Sequence, residues 1–366
     1  MQPAAHPSPD RLHSIAQARQ VLLYERSAMS VPGLSPWLQR SWQRCQALGL
    51  EPSTRVGFDA VSAAQMRRVQ DENQALAQAA RPVLGELVRA MGHIGYFAIL
   101  TDAQGIVVDV HGPVDRSDPR ADVIARVGVD LSERAVGTSA ISAALTELQP
   151  VWLHRGEHFF EDTSVYSCAG APVFGPDGHC AGMLDLTGVQ TQERPALKHL
   201  VRRSARSIEN GWLLALPHAL TLRLLWPGNQ PGDDSDGLLT LGKDGEILGA
   251  NPTARQMLAM DGQVPCGHAS EVFAMPWQNL FDAALREDGF REVPLWSGLR
   301  LQTLARHAHK EVRLPVKTGK ALRDHEADII RQAVLKARGN VAEAARSLGI
   351  GRATVYRKLG GGKGLA

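Results

Sequence analysis

The C-terminal segment of the chain carries a pattern that few folds can accommodate. Apolar residues recur at helical spacing over 322–338, which predicts a first amphipathic helix. Asn340 and Glu343 have the spacing of an N-terminal capping box, so a second and shorter helix is expected to begin there. Gly349 provides the backbone freedom for a tight turn before a third helix over 352–359. The pattern therefore predicts a compact all-α unit whose last two helices form a helix-turn-helix.

The third predicted helix would present basic and small polar side chains to solvent, because Val355 and Leu359 fall on its inward face. Arginine can pair with both acceptors on a guanine edge, threonine can contact a thymine methyl group or a phosphate, and lysine is attracted to the phosphate backbone. The candidate DNA-contacting residues are Arg352, Ala353, Thr354, Arg357 and Lys358. The alternative is a small helical hairpin whose basic face is only solvated.

The distribution of charge favours the DNA-contacting interpretation. From Arg306 onward the chain has 14 Lys+Arg and 5 Asp+Glu, a net charge of +9. Since the whole chain carries +2, residues 1–305 carry the difference, −7. A basic end on an otherwise slightly acidic chain is typical of a nucleic-acid-binding segment. Residues 306–321 are rich in basic side chains and are predicted to form a linker attracted to DNA.

The sequence 339–350, followed by 352–359, closely resembles the Fis-type DNA-binding domain. The resemblance implies that residues 322–360 bind double-stranded DNA in the major groove, as a homodimer on a palindromic site. It also implies that the first helix contributes to the dimer. RNA polymerase is a further candidate partner of such a protein.

Length and composition limit the number of domains and the cellular compartment that can be expected for this chain. At 366 residues the chain is long for one hydrophobic core, so two or three domains are expected. No apolar run approaches the roughly 18 residues of a membrane helix, and residues 1–7 lack the apolar centre of a secretion signal. We therefore expect a cytoplasmic protein without a membrane partner. The scattered cysteines show neither disulfide nor zinc spacing, which favours reduced thiols and leaves redox sensing as an alternative. They are Cys45, Cys168, Cys180 and Cys266.

Residues 1–70 are expected to form an N-terminal helical region after an irregular start. Ser35 and Pro36 have the form of a helix start, with serine as the cap and proline at the first helical position. Residues 41–52 resemble the N-terminal stretch of regulators related to the acetoin-catabolism activator.

Residues 71–216 mix helical and strand patterns in a way that predicts one mainly antiparallel sheet surrounded by helices. Turn sequences at 102–105 and 175–178 join two pairs of strands into hairpins. The predicted helices are 73–91, 135–147 and 195–216, and the predicted strands are 96–101, 106–111, 151–154, 166–174 and 179–186.

This region resembles the GAF sensor domain of the same activators. The resemblance implies a GAF-type α/β sandwich with an antiparallel sheet and a small-molecule effector as ligand. Ser139 stands where the family usually has asparagine, and Ser142 where it often has glycine. The matching stretches, in the expected order, are 128–133, 137–141, 157–159, 168–172 and 182–188.

Residues 217–236 are predicted to be a linker, because their second half is rich in Pro, Gly and Asp and has no apolar periodicity. Residues 237–305 read as a small α+β module that begins with a hairpin and has later strands at 293–304. Asn251 and Pro252 should start a helix that runs to Met260. The stretch 244–251 is similar to the opening of a PAS domain.

A ligand pocket in the GAF-like region would combine aromatic walls with a few polar groups. The alternative for the aromatic residues is that they are ordinary core, and for His158 that it only satisfies a backbone carbonyl. The candidate ligand-contacting residues are Trp152, His158, Phe159, Tyr166, Cys168 and Asp185.

No catalytic, metal or cofactor site is predicted. Residues 154–158 fit the H-x-x-E-H pattern of inverted zinc peptidases, which needs both histidines on one face of a helix. Here a strand precedes the pattern and Gly156 lies inside it, so a strand and loop are expected instead.

An ATPase domain is also not expected, although the activators that this chain resembles carry an AAA+ ATPase between sensor and DNA-binding domain. A phosphate-binding P-loop needs a lysine after its second glycine. The nearest match ends at Gly267 and is followed by His268 and Ala269. Between residues 305 and 322 there is no room for such a domain.

The sequence thus predicts a multidomain α+β protein with a GAF-type sensor, a small PAS-like module and a C-terminal all-α helix-turn-helix. The predicted function is a sequence-specific transcriptional regulator that senses a metabolite and acts without ATP hydrolysis. One alternative is an architectural DNA-binding protein that uses the GAF fold only to dimerise. The other is an enzyme or adaptor with an incidental helical tail.

Overall fold

The computed structural model forms two units, residues 1–310 and residues 311–366, which are described separately. The residues that it describes are 9–26, 31, 33–91, 93–229, 231–232, 236–260, 267–286, 289–308, 330, 333–334, 337, 340–347, 351–352 and 354–355.

The first part of the larger unit is built around a five-stranded antiparallel sheet with the strand order β2-β1-β5-β4-β3. Its strands are β1 (Tyr96–Asp102), β2 (Val107–His111), β3 (Val151–His154), β4 (Tyr166–Phe174) and β5 (Cys180–Val189). The helices around it are α1 (Pro9–Arg19, continued by a π-helical turn, Gln20–Tyr24), α2 (Pro36–Ala47), α3 (Ala63–Glu72), α4 (Gln74–Met91), α5 (Pro119–Ile124), α6 (Glu133–Val136), α7 (Ala140–Glu147) and α8 (Leu197–Ala215).

The two faces of this sheet are covered by different helices, because successive side chains of a strand point to opposite faces. Along β1, Ala98 and Leu100 pack with the apolar stripes of α4 and α8. Phe97 and Ile99 pack instead with α1, α2 and the segments α5 to α7. The N-terminal helices therefore share one core with the sheet rather than forming a core of their own, although the sequence places them in a separate region, 1–70.

A second five-stranded antiparallel sheet follows, with the order β8-β7-β6-β10-β9. Its helices lie on one face, where α11 packs against β10. Its strands are β6 (Leu220–Leu225), β7 (Gly237–Leu241), β8 (Ile247–Ala250), β9 (Arg291–Pro294) and β10 (Arg300–His307), and its helices are α9 (Pro252–Met257), α10 (Ala269–Val272) and α11 (Gln278–Leu285).

The two sheets are joined by α8 and by the turn between β4 and β5. The amide of Ala250 donates to the carbonyl of Pro176 in that turn (3.0 Å). Asn251 Nδ2 donates to Asn210 Oδ1 on α8 (2.9 Å). A Cβ at Gly249 would lie 2.9 Å from Pro176 Cβ, so glycine permits the close approach. A displacement of β4 or β5 would thus reach the second sheet directly.

Most predicted elements are confirmed within one to three residues, and two predictions differ from the structure. The predicted helix 135–147 is divided into α6 and α7, because Gly137 has a φ of 63° and Ser139 accepts a hydrogen bond from the amide of Ser142 as the cap of α7. The predicted linker 217–236 contains β6, which lies in the centre of the second sheet between β7 and β10.

The helix starts agree with the sequence in position and differ in detail. Asn251 Oδ1 accepts from the amide of Ala254 (2.8 Å), but α9 ends at Met257 rather than Met260. Ser35 precedes α2 as predicted, yet its side chain makes no capping hydrogen bond. Among the described residues, no helix is both long and apolar enough to cross a membrane.

The smaller unit is described at a few positions. α12 (Val341–Ser347) begins after Asn340, whose Oδ1 accepts from the amides of Ala342 (3.1 Å) and Glu343 (3.2 Å). The predicted cap is therefore confirmed. A small core is formed by Ile330, Ala345 and Val355, each at most 3% exposed, from the three predicted helices. Most of the first predicted helix lies outside the described residues.

Candidate functional site

The first sheet and the segments α5 to α7 enclose a mostly apolar cavity. It has about 330 Å³ of empty space including its mouth, of which about 20 Å³ can hold the centre of a water-sized sphere. That is roughly the room that one buried water needs, about 10–15 Å³ on this measure. The lining residues are Phe58, Ile124, Leu131, Val136, Ser139, Ala140, Ile141, His158, Thr163, Tyr166, Cys168 and Thr187.

His158 is the most polar group of this wall. Its Nδ1 lies 2.9 Å from the carbonyl oxygen of Arg155, which can only accept, so Nδ1 carries the proton. Nε2 is then a bare acceptor, and it is buried without a hydrogen-bond partner within the protein. Burial lowers the pKa of His158 to about 4, so the imidazole is neutral near pH 7. The cavity wall therefore offers an uncharged, unpartnered acceptor.

Asp185 lies on the same face of the sheet, in the central strand β5. Thr187 Oγ1 donates to Asp185 Oδ2 and lies 3.6 Å from Cys168 Sγ on the neighbouring strand. Asp185 Oδ1 has no hydrogen-bond partner within the protein, and the side chain is fully buried. Burial raises the pKa of Asp185 to about 7. Asp185, Thr187 and Cys168 thus form a polar row beside the cavity, and one carboxyl oxygen of this row has no hydrogen-bond partner.

The structure brings together only part of the predicted ligand set. His158, Tyr166 and Cys168 line the cavity, and Asp185 reaches it through Thr187. Trp152 does not belong to the site, because it points to the opposite face of the sheet, packs with the α4 and α8 core and stacks on His154. Phe159 is buried core against Phe160 and does not line the cavity.

The sequence interpretation missed three polar members of the wall, Ser139, Thr163 and Thr187. Thr187 follows Asp185 by two residues, so the two-residue periodicity of a strand could have placed both on one face. Ser139 lines the cavity as the cap of α7. Phe58 comes from the N-terminal region, and no local pattern could have assigned it, because its contact with Tyr166 spans most of the domain.

The N-terminal helices hold the segment that carries His158. Arg19 donates to three carbonyl oxygens, those of Gly156 (3.0 Å), His158 (2.5 Å) and Phe159 (2.9 Å). Its guanidinium lies 5.7 Å from the centre of the Trp42 ring. Trp42 Nε1 donates to the carbonyl of Glu157 (3.0 Å). The cavity wall is therefore fixed by residues more than a hundred positions away in sequence.

We expect Arg19→Ala to lower the free energy of unfolding by roughly 3 kcal/mol, because it leaves three carbonyls unpaired and each bond to a charged donor contributes on the order of 1–3 kcal/mol. Arg19→Lys should lose less, since an ammonium can satisfy some of these acceptors but lacks the planar fork. Urea unfolding followed by tryptophan fluorescence measures both. Arg26→Ala, whose exposed side chain pairs with exposed Glu51, is the control and should change little. Equal effects of the Arg19 and Arg26 variants would contradict the assignment of Arg19 as the residue that holds the segment carrying His158.

The H-x-x-E-H residues do not converge on a common point. His154 Nδ1 lies 2.5 Å from Ser167 Oγ, and Glu157 accepts from the amide of His154 (2.7 Å) and from Arg11 (2.7 Å). The segment is a strand end followed by a 3-10 turn rather than a helix. Within the described part of the chain, no three His, Cys, Asp or Glu side chains are grouped so that they could hold a metal ion.

Three of the residues named for the third helix of the smaller unit are described. Arg352 is exposed, Thr354 is half-buried and Val355 is fully buried. The amide of Thr354 donates to the carbonyl of Gly351 (2.9 Å), as in a first helical turn. Val355 therefore faces inward as predicted. The candidate DNA contacts Ala353, Arg357 and Lys358 lie outside the described residues.

Comparison with known families identifies the chain. The sequence model of the MimR N-terminal domain matches residues 15–210, which is more than half of the chain. The chain belongs to the MimR N-terminal-domain family. The model of bacterial regulatory proteins of the Fis family matches residues 321–360. The resemblance to acetoin-catabolism regulators with a Fis-type helix-turn-helix is thereby confirmed.

Individual relatives agree with this assignment. The acetoin catabolism regulatory protein of Cupriavidus necator is 31% identical over 280 residues, which are 74% of this chain and 41% of that protein. The propane 2-monooxygenase operon transcriptional activator MimR of Mycolicibacterium goodii is 27% identical over 260 residues, 70% of this chain and 43% of that protein. The chain thus spans less than half the length of these two relatives.

Among solved structures, the crystal structure of the E. coli DhaR(N)-DhaL complex is similar at 16% identity. The alignment covers 74% of this chain and 99% of that chain, with a TM-score of 0.46.

Proposed function

We propose that this family member is a transcriptional regulator that binds double-stranded DNA through residues 322–360 and senses a small molecule in the cavity of the first sheet. The observation that carries the proposal is the buried, unpartnered acceptor of His158 in the wall of that cavity. A buried polar atom without a partner costs roughly 1–3 kcal/mol, and a ligand with a donor would remove that cost.

In this proposal the first sheet is a GAF-type sensor, the second a PAS-like module, and the protein acts in the cytoplasm as a homodimer. Because no P-loop lysine lies between the second sheet and the Fis-type unit, it acts by binding alone and not by ATP hydrolysis. RNA polymerase is then recruited to, or excluded from, the bound site.

The cavity supports a small and uncharged ligand. Its wall is mostly apolar and its one imidazole is neutral, so an ionic ligand would lose its hydration without gaining a counter-charge. The names of two relatives refer to acetoin catabolism and to a propane 2-monooxygenase operon, and both acetoin and propane are small uncharged molecules. A ligand that donates a hydrogen bond would supply the donor that His158 Nε2 lacks.

The response would follow from the size of the cavity. Only about 20 Å³ is open to water-sized spheres, so a ligand of several heavy atoms requires its wall to move outward. The parts of the wall that would have to shift are the segment held by Arg19 and the strands β4 and β5. The β4–β5 turn contacts β8. A ligand that widens the cavity would therefore also favour a changed position of the second sheet.

The test uses two replacements of His158 that separate its two nitrogens. In His158→Asn the amide takes the place of Nδ1 and keeps the bond to Arg155, whereas in His158→Gln the amide takes the place of Nε2. The probes are acetoin and other small hydroxy and keto compounds, added to the purified chain during thermal unfolding and DNA binding.

We expect a probe that raises the unfolding temperature of the natural protein to lose its effect in His158→Asn and to keep part of it in His158→Gln. Without a probe, His158→Asn should unfold at a higher temperature than His158→Gln, because only asparagine keeps the hydrogen bond to Arg155. If no uncharged probe shifts the unfolding temperature or DNA affinity of the natural protein, the sensing part of the proposal fails while DNA binding stands.

A further inference from the structure

The N-terminal helix α1 lies against the wall segment 155–161, which carries His158. A Cβ at Gly156 of this segment would lie 3.4 Å from Ile15 Cγ2 and 3.5 Å from Arg19 Cδ, which is ordinary van der Waals contact. Arg19 also donates to three carbonyl oxygens of the segment. The helix is therefore in direct contact with a part of the wall that has to shift when a ligand of several heavy atoms enters the cavity.

Polar contacts attach this helix at both of its ends. Arg11, near the start of α1, pairs with Glu157 (2.7 Å) and with Glu193, whose side chains are only 10% and 9% exposed. Tyr24, the last residue of the π-helical turn, donates through its hydroxyl to the carboxylate of Glu161. Two of these three carboxylates belong to the wall segment, so the helix is bound to the wall at its start and at its end.

Apolar packing contributes little to the attachment of α1. Of the side chains at 11–19, Ala18 is buried and the others are half-buried or exposed. The π-helical turn that follows buries Leu22 and Leu23 in the core, and Gln46 of α2 donates to both of their carbonyl oxygens (3.0 and 3.3 Å). A segment with few buried apolar contacts opens at a lower free energy than a core element. The helix can therefore separate from the wall while the turn behind it stays in place.

From these contacts we propose that α1 is a strap that holds the cavity closed, with the π-helical turn Gln20–Tyr24 as its hinge. Attachment of the strap and occupation of the cavity oppose each other, because a wall segment held by Arg11 and Arg19 cannot move aside for a ligand. Weakening the strap then raises ligand affinity, and a bound ligand loosens the strap by the same factor. The opposition to a ligand rests on the sensing function proposed above, whereas the control of the wall segment by the strap does not.

Cys168 reports on opening of the cavity without any ligand. Its thiol lines the cavity and is 4% exposed, so iodoacetamide reacts with it when the wall opens. Peptide mass spectrometry of the alkylated full chain gives the rate at each cysteine separately. We expect Arg11→Gln to speed alkylation of Cys168 by about fivefold, the effect of losing one partly exposed ion pair. Cys180, which does not line the cavity, should react at the natural rate.

Two further variants complete this experiment. Arg68→Gln is the matched control, because Arg68 pairs with Glu72 on α3 and is 79% exposed, and its Cys168 should react as in the natural chain. Tyr24→Phe removes one hydroxyl at an exposed position, so it should fold and should speed Cys168 in the same direction; it decides alone if the arginine variant does not fold. Unchanged Cys168 rates in both strap variants overturn the proposal, and so does an equal rise at Cys180, which would indicate general unfolding.

A ligand titration separates the strap from the sensing function. With acetoin as the probe in titration calorimetry, Arg11→Gln should bind about fivefold more tightly than the natural protein, and Arg68→Gln should not differ from it. Equal acetoin affinity of Arg11→Gln and the natural protein overturns the opposition between strap and ligand while sensing stands. If no uncharged probe binds any of the three chains, sensing fails and the opposition fails with it, and the Cys168 rates still decide whether the strap controls the wall.

Discussion

Replacing Asp185 with asparagine should stabilise the protein at pH 8, by roughly 4 kcal/mol relative to the natural chain. Asparagine resembles the protonated carboxyl in shape and has no charge to desolvate. Burial raises the pKa of Asp185 from its ordinary 3.8 to about 7, so the folded state holds the carboxyl protonated where the unfolded state does not. Above pH 7 the folded chain must bury a carboxylate whose Oδ1 has no hydrogen-bond donor, and asparagine removes that charge.

The direction in which stability changes with pH follows from the difference in bound protons between the folded and unfolded states. Between pH 3.8 and 7 the folded state binds one more proton at Asp185 than the unfolded state, so this group lowers stability as pH rises. Burial raises the pKa of Glu209 to about 7 as well, with the same sign. Burial lowers the pKa values of His154 and His158 to about 4, so these residues raise stability as pH rises from about 4 to 6.5.

Burial also raises the pKa values of Asp102 and Glu157, and these carboxyls act in both chains alike. Relative to the natural chain, the stability of Asp185→Asn should therefore rise with pH between about 4 and 7, because only the natural chain loses stability there through Asp185. Urea unfolding at several pH values measures both curves. Asp71→Asn, at an exposed position on α3, is the control and should follow the natural chain. A variant curve parallel to the natural one from pH 4 to 8 would contradict the assignment.

Replacing Arg352 and Arg357 together with alanine should abolish selective DNA binding. Each bidentate arginine contact to guanine is worth on the order of 1–3 kcal/mol, so their joint loss should lower affinity for a specific site by roughly a hundredfold or more. Affinity for unrelated DNA should fall much less, because the rest of the +9 segment still attracts phosphates. Fluorescence anisotropy with specific and unrelated duplexes, together with genome-wide footprinting on several carbon sources, tests this.

Lys358→Ala provides the contrast for this experiment. Because Lys358 is proposed to contact a phosphate, its loss should weaken binding evenly across sequences and reduce the salt-dependence slope by about one. Discrete sites that persist in the double arginine variant would refute the assignment of the reading helix. Diffuse binding that ignores growth conditions in the natural protein would favour the architectural alternative.

The sequence by itself determined the elements whose causes are local. The caps at Asn340 and Asn251 and the turn at 175–178 are recognisable, because a side chain or turn acts on backbone groups within a few residues. The same holds for helices α4 and α8, whose apolar stripes are written at helical spacing. The inward position of Val355 follows from that periodicity as well.

Only the tertiary structure decided which of these elements share a site. Trp152 and Leu153 are neighbours in sequence and lie on opposite faces of the sheet, and nothing local shows which face holds a cavity. Strand β6 has a strand pattern of its own, since Leu220, Leu222 and Leu224 alternate with polar residues, but only its pairing with β7 and β10 shows that it is the central strand of the second sheet. The closure of the wall by Arg19 and Trp42 joins segments more than a hundred residues apart. Such contacts depend on packing of the whole chain, so the meeting of Thr187 and His158 in one cavity wall, with Asp185 bonded to Thr187, was fixed only when the sheet formed.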